Sequence, residues 1–341
     1  MRGRRTGGVH WQGLAQFALA AGIVWGISVA VDPITEYFRR QNHSNGWTRF
    51  RPPHETSALQ VEGERIWTGG RDGLGWIDWK RRAVAEVPAS VPRLERVRAL
   101  RLSRSGEMWV GHLTGVERRG AAGFTHLESE VGAVGALLER RSGEMWVGGE
   151  KGLARWDGSR FIRVKGTESL EGVDALMEDR AGDLWVASAH PVRGGVLRLG
   201  AGGAWEDYTH NPGLAHPAVS AVYEDPAGGI WFASGFGKQG AACRWSKSGW
   251  TRLTKADGLA SDRVRLVYED RRGRLWVASE VDGTAVRSGG RWRVFTPKEG
   301  MTGWEVKSVV ESPDGALWMA TEDGVMRLDE KVELGPAGES K

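Results

Sequence analysis

Apolar and polar residues alternate at every second position in short stretches along the chain, as in Val219-Ser-Ala-Val-Tyr-Glu-Asp225. A period of two is that of a strand with one face buried and one polar. Such a stretch runs into a turn like Asp225-Pro-Ala-Gly228, where Pro presets φ and Gly accepts a positive one. The chain then returns through Gly-x-x-Trp and small residues. This second pattern reads Gly106-Glu-Met-Trp109, Gly143-Glu-Met-Trp146, Gly182-Asp-Leu-Trp185, Gly228-Gly-Ile-Trp231, Gly273-Arg-Leu-Trp276 and Gly315-Ala-Leu-Trp318. A degenerate seventh copy is Ile66-Trp67-Thr-Gly-Gly.

The seven tryptophans, 67, 109, 146, 185, 231, 276 and 318, are separated by 42, 37, 39, 46, 45 and 42 residues. That period accommodates four short strands, which is one propeller blade. The third strand is exemplified by Gly195-Val-Leu-Arg-Leu199, and the fourth opens on an aromatic residue: Phe124, Phe161, Trp205, Trp250 or Trp292. The expected fold is all-β, a seven-bladed β-propeller of four-stranded blades, and the seven Trp are core because their spacing follows the blades. Trp47-Thr-Arg-Phe50 has the form of a fourth strand yet precedes the first Trp unit, while the last unit stops after a third strand at Val325-Met-Arg-Leu328. The first strand therefore completes the last blade and closes the ring. The propeller is placed at residues 47–330, with a linker at 32–46 and a polar tail at 331–341.

Composition agrees with an all-β chain: 50 Gly and 18 Trp in 341 residues suit short strands and tight turns. The pI near 9.3 has a local origin. Residues 1–42 hold Arg2, Arg4, Arg5, Arg39 and Arg40 against Asp32 and Glu36, so this segment carries +3 of the total +4. The near-neutral remainder lacks the positive stripe that phosphate contacts need, and no nucleic-acid partner is expected. From Trp11 to Val31, 21 residues carry no charge, about the ~20 that span a hydrocarbon core as a helix. With three arginines before it, this segment predicts one N-terminal transmembrane helix, a signal anchor over residues 1–31, with the rest of the chain outside. A cleaved signal peptide is the competing reading, through Ser28-Val29-Ala30. Both readings export the propeller, membrane-anchored in the periplasm or outside the cell, or secreted after cleavage. Cys243, the single cysteine, lies in an apolar run and reads as a buried thiol without a role.

The stretch Asp257-Gly-Leu-Ala-Ser-Asp-Arg-Val-Arg-Leu-Val-Tyr-Glu-Asp-Arg-Arg-Gly-Arg-Leu-Trp-Val-Ala-Ser279 closely resembles the two-component regulator propeller repeat. Asn211-Pro-Gly-Leu-Ala-His-Pro-Ala-Val219 and Glu299-Gly-Met-Thr-Gly-Trp-Glu-Val306 open blades in the same style. The resemblance implies the extracytoplasmic ligand-sensing domain of bacterial hybrid histidine kinases. Unlike those sensors, the chain shows no kinase, receiver or second span after the propeller. A sensed signal is then expected to pass through a separate membrane or envelope partner, through the N-terminal segment, or nowhere.

Propeller ligands approach the end of the channel where loops joining second to third strands lie beside loops joining the fourth strand to the next blade. The repeat places His190, Arg193, Phe236, Lys238, Gln239, His210, His216, Asp262 and Trp304 on that end, together with Arg71, Asp72, His112, Glu150, Lys151, Glu280 and Glu322. The two longest spacings follow Trp185 and Trp231, and their extra residues fall in Ala189-His-Pro-Val-Arg193 and Gly235-Phe-Gly-Lys-Gln239. Aromatic, cationic and amide groups there suit a polar ligand, a saccharide or an anion; tolerated loop variation accounts for the added length equally well. His190, His210 and His216 flank one blade boundary, but no ligand spacing marks a metal, and neither metal nor cofactor is expected. Glu178-Asp179, Glu224-Asp225 and Glu269-Asp270 recur at one turn of successive blades and read as turn chemistry, not catalytic pairs. The primary expectation is a non-enzymatic binding or sensor module. The rival expectations are a lyase or hydrolase resembling streptogramin lyase, with a His/Glu set and a metal on one channel mouth, and a structural scaffold of an envelope complex.

Overall fold

The structure is a computed structural model and describes residues 43–44, 47–52 and 55–329. The chain divides into two units, Met1–Ser44 and Asn45–Lys341. The expected membrane segment at 11–31 and the tail at 331–341 lie outside the described residues, as does most of the linker. Among the described residues no helix is long and apolar enough to cross a membrane.

Alternation and turn chemistry produce the expected strands. In the second unit the described strands form seven antiparallel sheets of four. We number these blades 1 to 7 by their tryptophans, from Trp67 to Trp318. Blade 5 is representative: Val219–Glu224 runs along the channel, Ile230–Phe236 carries Trp231, and Gln239–Ser246 and Gly249–Leu253 lie outside it. The seven repeat tryptophans are 0 to 7% exposed, and each sits in an apolar cluster, most of them shared by adjacent blades. Burying the indole on one face of the second strand and mostly aliphatic side chains on the other is the main apolar gain that holds neighbouring blades together.

The ring closes as the out-of-phase termini require. Trp47–Phe50 pairs antiparallel with Gly324–Leu328, from Trp47 opposite Leu328 to Phe50 opposite Val325. Trp47 packs edge-on to Trp276 and Phe295, with ring centroids 6.4 and 5.6 Å away, and Phe50 lies 5.2 Å from Trp318. Gly324 permits this approach: its φ is 120°, and a Cβ there would fall 2.4 Å from the Phe50 carbonyl oxygen.

The recurring Glu-Asp pairs have two separate structural duties. The Asp anchors its own blade: Asp179, Asp225 and Asp270 each accept the indole N–H of the tryptophan six residues on, at 2.8 to 2.9 Å. Ser312 does the same for Trp318. The Glu side chain receives the preceding blade at Glu178 and Glu224, as do Glu139 and Glu311 at the same turn of other blades, whereas at Glu269 the backbone carbonyl accepts the Tyr223 hydroxyl instead. Arg104, Arg141, Arg180 and Arg271 reach across to Glu139, Glu178, Glu224 and Glu311, the first, third and fourth as ion pairs and Arg141 through its backbone N–H. The same arginines, through their guanidinium groups, also donate to backbone carbonyls of the next turn. In blades 2 and 3 Ser103 and Arg140 occupy the position of the Asp, and among the described residues the Trp109 and Trp146 indole nitrogens are buried without a partner.

Candidate functional site

A buried residue begins the inner strand in five blades, Thr56, Val134, Val219, Val264 or Val306, and in blades 2 and 4 Val97 and Val173 stand two residues ahead of it. In blades 1, 3, 5, 6 and 7 the register to the second strand slips immediately afterwards, so that one residue is left between two ladder partners. Such a bulge re-aims a side chain. The residues so placed are Ser57, Gly135, Ser220, Arg265 and Lys307; Arg98 and Asp174 hold the corresponding position in blades 2 and 4. Five of the seven, Ser57, Arg98, Gly135, Asp174 and Arg265, line one or both of two adjoining cavities of about 1030 and 600 Å³. Arg98, Ala133 and Glu150 are common to both, which identifies a single concave surface at the expected mouth of the channel.

The mouth is charged, and some of its charges are held while others, Asp72, Arg93, Glu95, Arg96, Arg98 and Glu150, have no charged partner among the described residues. Lys307 donates to Glu55 at 2.7 Å, and this bond is the leading cause that keeps the Glu55 carboxyl below its usual range. Arg265 pairs with Glu305 at 3.0 Å. Asp174 accepts the Ala189 backbone N–H at 2.8 Å. Arg98 is exposed and no carboxylate pairs with it among the described residues, as holds for Arg93 and Arg96 on the wall of the larger cavity; Arg98 alone of the three lines both cavities. An unpaired guanidinium in a polar concavity is a ready site for a ligand carboxylate, and the held carboxylates and Ser57 offer acceptors for hydroxyls.

The nine expected residues fall into local groups. His190 lines the smaller cavity; its Nδ1 accepts the Arg193 backbone N–H at 2.9 Å, and its Nε2 lies 3.7 Å from Glu171. Arg193 reaches the other Glu171 oxygen at 3.2 Å, so Glu171 joins the two. Phe236 is exposed, with the His216 ring 6.3 Å away and the Arg263 guanidinium over its face at 5.6 Å. Burial lowers the His216 pKa, and its Nδ1 accepts the Ala218 N–H at 3.0 Å. Phe236 and Gln239 pair across Gly237 and Lys238, so the expected loop in blade 5 is a two-residue turn and its extra length is spent on longer strands. Lys238 and His210 are exposed, and Asp262 accepts the Lys255 backbone N–H at 2.6 Å. Trp304 is 43% exposed, with its backbone fixed by Glu322 and Gly283.

His190, His210 and His216 do not form a metal-type group among the described residues. His112, Glu117 and His126 do, with one ligand atom from each lying within 4.8 Å of the others. Sequence reading missed this group because separations of 5 and 9 residues match no ligand spacing, and the three meet only when two hairpins bring successive strands onto one face. Burial, then the neighbouring His126, lowers the His112 pKa to about 4.

Comparison with known proteins supports the fold and the repeat. Residues 258–280 match the family model of the two component regulator propeller. A search of curated proteins found no match. Among solved structures the chain is similar to a protein described as the extracellular domain of a hybrid two component system from B. thetaiotaomicron, with a TM-score of 0.70 and 14% identity over 84% of this chain and 41% of that one. It spans less than half the length of that relative. Virginiamycin B lyase from Staphylococcus aureus aligns with a TM-score of 0.61 and 14% identity over 82% of this chain and 97% of the enzyme. YCF48 bound to D1 peptide aligns with a TM-score of 0.61 and 13% identity over 83% and 97% of the two chains. At such identities these likenesses establish the architecture alone. The chain is a seven-bladed β-propeller that carries the two component regulator propeller repeat.

Proposed function

We propose that the protein is an exported, non-enzymatic recognition module of the sensor type, anchored by residues 11–31, that binds an acidic saccharide at the channel mouth. The observation that carries this reading is a set of exposed guanidiniums without a carboxylate partner among the described residues, Arg93, Arg96 and, lining both cavities of the polar concavity, Arg98. A sugar carboxylate pairs with such a fork, while hydroxyls meet Ser57, Asp174 and the carboxylates already fixed around the rim. The His190–Arg193 pair and the exposed Phe236, Lys238 and Trp304 border the same end and extend the contact surface; Gln239, His210, His216 and Asp262 belong to this rim. A separate membrane or envelope partner takes the signal onward. The repeat at 258–280 and the extracellular relative favour a sensor over the lyase reading. That rival needs the loop histidines to converge with Glu280 or Asp262, but Glu280 is paired with Arg263 and Asp262 holds the Lys255 backbone.

Uronic acids, neutral sugars and amino sugars added to the full chain separate these readings by thermal shift. A uronic acid is expected to raise the melting temperature with no turnover detectable by mass spectrometry. Replacing Arg193, Lys238 and Trp304 together with Ala should weaken that shift while leaving the unliganded melting temperature nearly unchanged, because exposed loop residues contribute within about 0.5 kcal/mol. A cleaved sugar would establish the enzyme instead.

A further inference from the structure

We propose that His112, Glu117 and His126 form a divalent transition-metal site on blade 2, with zinc the ion that suits them best. The site is built by register. His112 ends the strand Met108–His112, Glu117 lies on Gly115–Gly120 opposite Val110, and His126 lies on Gly123–Leu127 opposite Glu117. Val110 and His112 are two residues apart, as are Phe124 and His126, so all three ligands share the face that packs Val110 and Phe124 against blade 1.

The distances suit one ion. Glu117 Oε1 lies 2.8 Å from His126 Nδ1 and 3.9 Å from His112 Nε2. Bonds of ~2.0–2.1 Å in a tetrahedral zinc site put neighbouring ligand atoms about 3.3 Å apart, between those two values, so small side-chain rotations complete the geometry. The state of His112 is the independent observation. Its side chain is 3% exposed, yet among the described residues Nε2 has no hydrogen-bond partner while facing Glu117. A buried nitrogen left without a partner is costly, and a metal ion removes that cost by taking its lone pair.

The surroundings supply what a ligating histidine requires. His112 Nδ1 lies 3.4 Å from both the Thr114 backbone N–H, which donates to it, and the Thr114 hydroxyl; coordination through Nε2 requires the ring proton to sit on Nδ1 instead, where the hydroxyl can accept it. Glu128, exposed and 3.8 Å from His126 Nε2, lies beyond hydrogen-bond distance but places a negative charge beside the second ring. The His126 side chain is 42% exposed, which opens the site to entry from solvent, and three protein ligands leave a position for water. Two imidazoles and a carboxylate match zinc and its first-row neighbours better than magnesium or calcium, which prefer oxygen throughout. The proposal does not rest on the reading of the channel mouth.

The test uses the full chain, without a polyhistidine tag, stripped by chelator and titrated with zinc chloride by calorimetry, with cobalt absorption as a second readout. One equivalent is expected, with a tetrahedral cobalt spectrum and a higher melting temperature on loading. His126→Ala and Glu117→Gln should each weaken zinc binding by more than ~100-fold, beyond the effect of removing an outer-shell partner. His126 is on the outer strand, so its variant should keep the metal-free melting curve even if His112→Ala fails to fold. The proposal is overturned if the wild type takes up no stoichiometric metal, or if His126→Ala binds zinc as tightly as the wild type.

Discussion

A chain beginning at Arg51 should fail to give a cooperative melting transition, or give one displaced downward by tens of degrees, relative to a chain beginning at Asn45. The two differ by six residues, of which Trp47–Phe50 are the closing strand. Removing it takes away Trp47 and Phe50, 1% and 6% exposed, and burying aromatic residues of this kind stabilises by ~3–5 kcal/mol each. It also strips Gly324–Leu328 of its ladder partner and uncovers Trp276 and Trp318, which pack against the lost rings. A loss above about 6 kcal/mol is comparable with the whole stability of an ordinary domain. Removing Pro336 to Lys341, outside the described residues, is the control and should leave the transition in place. Equal melting temperatures for the two truncations would contradict strand sharing as the lock of the ring.

The second large effect is expected of one carboxylate. Asp270→Ala should destabilise the propeller by ~3–5 kcal/mol, the usual consequence of leaving half of a buried ion pair behind. Asp270 accepts the Arg274 and Trp276 side chains at 2.5 and 2.8 Å and the Arg274 backbone N–H at 3.0 Å, and both charged side chains are under a tenth exposed. The substitution orphans a guanidinium and an indole at one point. Asp270→Asn keeps an acceptor for the indole and should cost less, since it loses the charge but not every bond. Chemical denaturation of the three proteins measures the order; an alanine variant as stable as the wild type would remove the Asp–Trp anchor from the account.

Much of the fold was legible because the chain repeats itself. The seven tryptophans marked the blades, and the odd strand at Trp47 marked the closure before any contact was known. The division of labour in Glu-Asp was hidden, because position alone does not reveal that Glu224 receives Arg180 from blade 4 while Asp225 turns inward to Trp231. The site was less legible still. Arg265 reaches the mouth from a bulge at the start of its inner strand and Arg98 and Asp174 from the residue just ahead of theirs, and neither a two-against-one register nor a strand start leaves a trace in residue type. Length was also misleading in blade 5, where the residues expected to form a loop extend two paired strands instead. His112, Glu117 and His126 were individually unremarkable loop and strand residues until two hairpins stacked them.

The central claim, recognition of an acidic sugar through the channel mouth, is tested most directly by reversing the charge at Arg98. The full-length wild type and Arg98→Glu are titrated in parallel with a uronic acid and with its neutral parent sugar, and binding is read by calorimetry. The account predicts that the uronic acid binds the wild type more tightly than the neutral sugar does, and that Arg98→Glu abolishes this preference while leaving the melting temperature nearly unchanged. Undiminished uronic acid binding by a folded Arg98→Glu protein would contradict it.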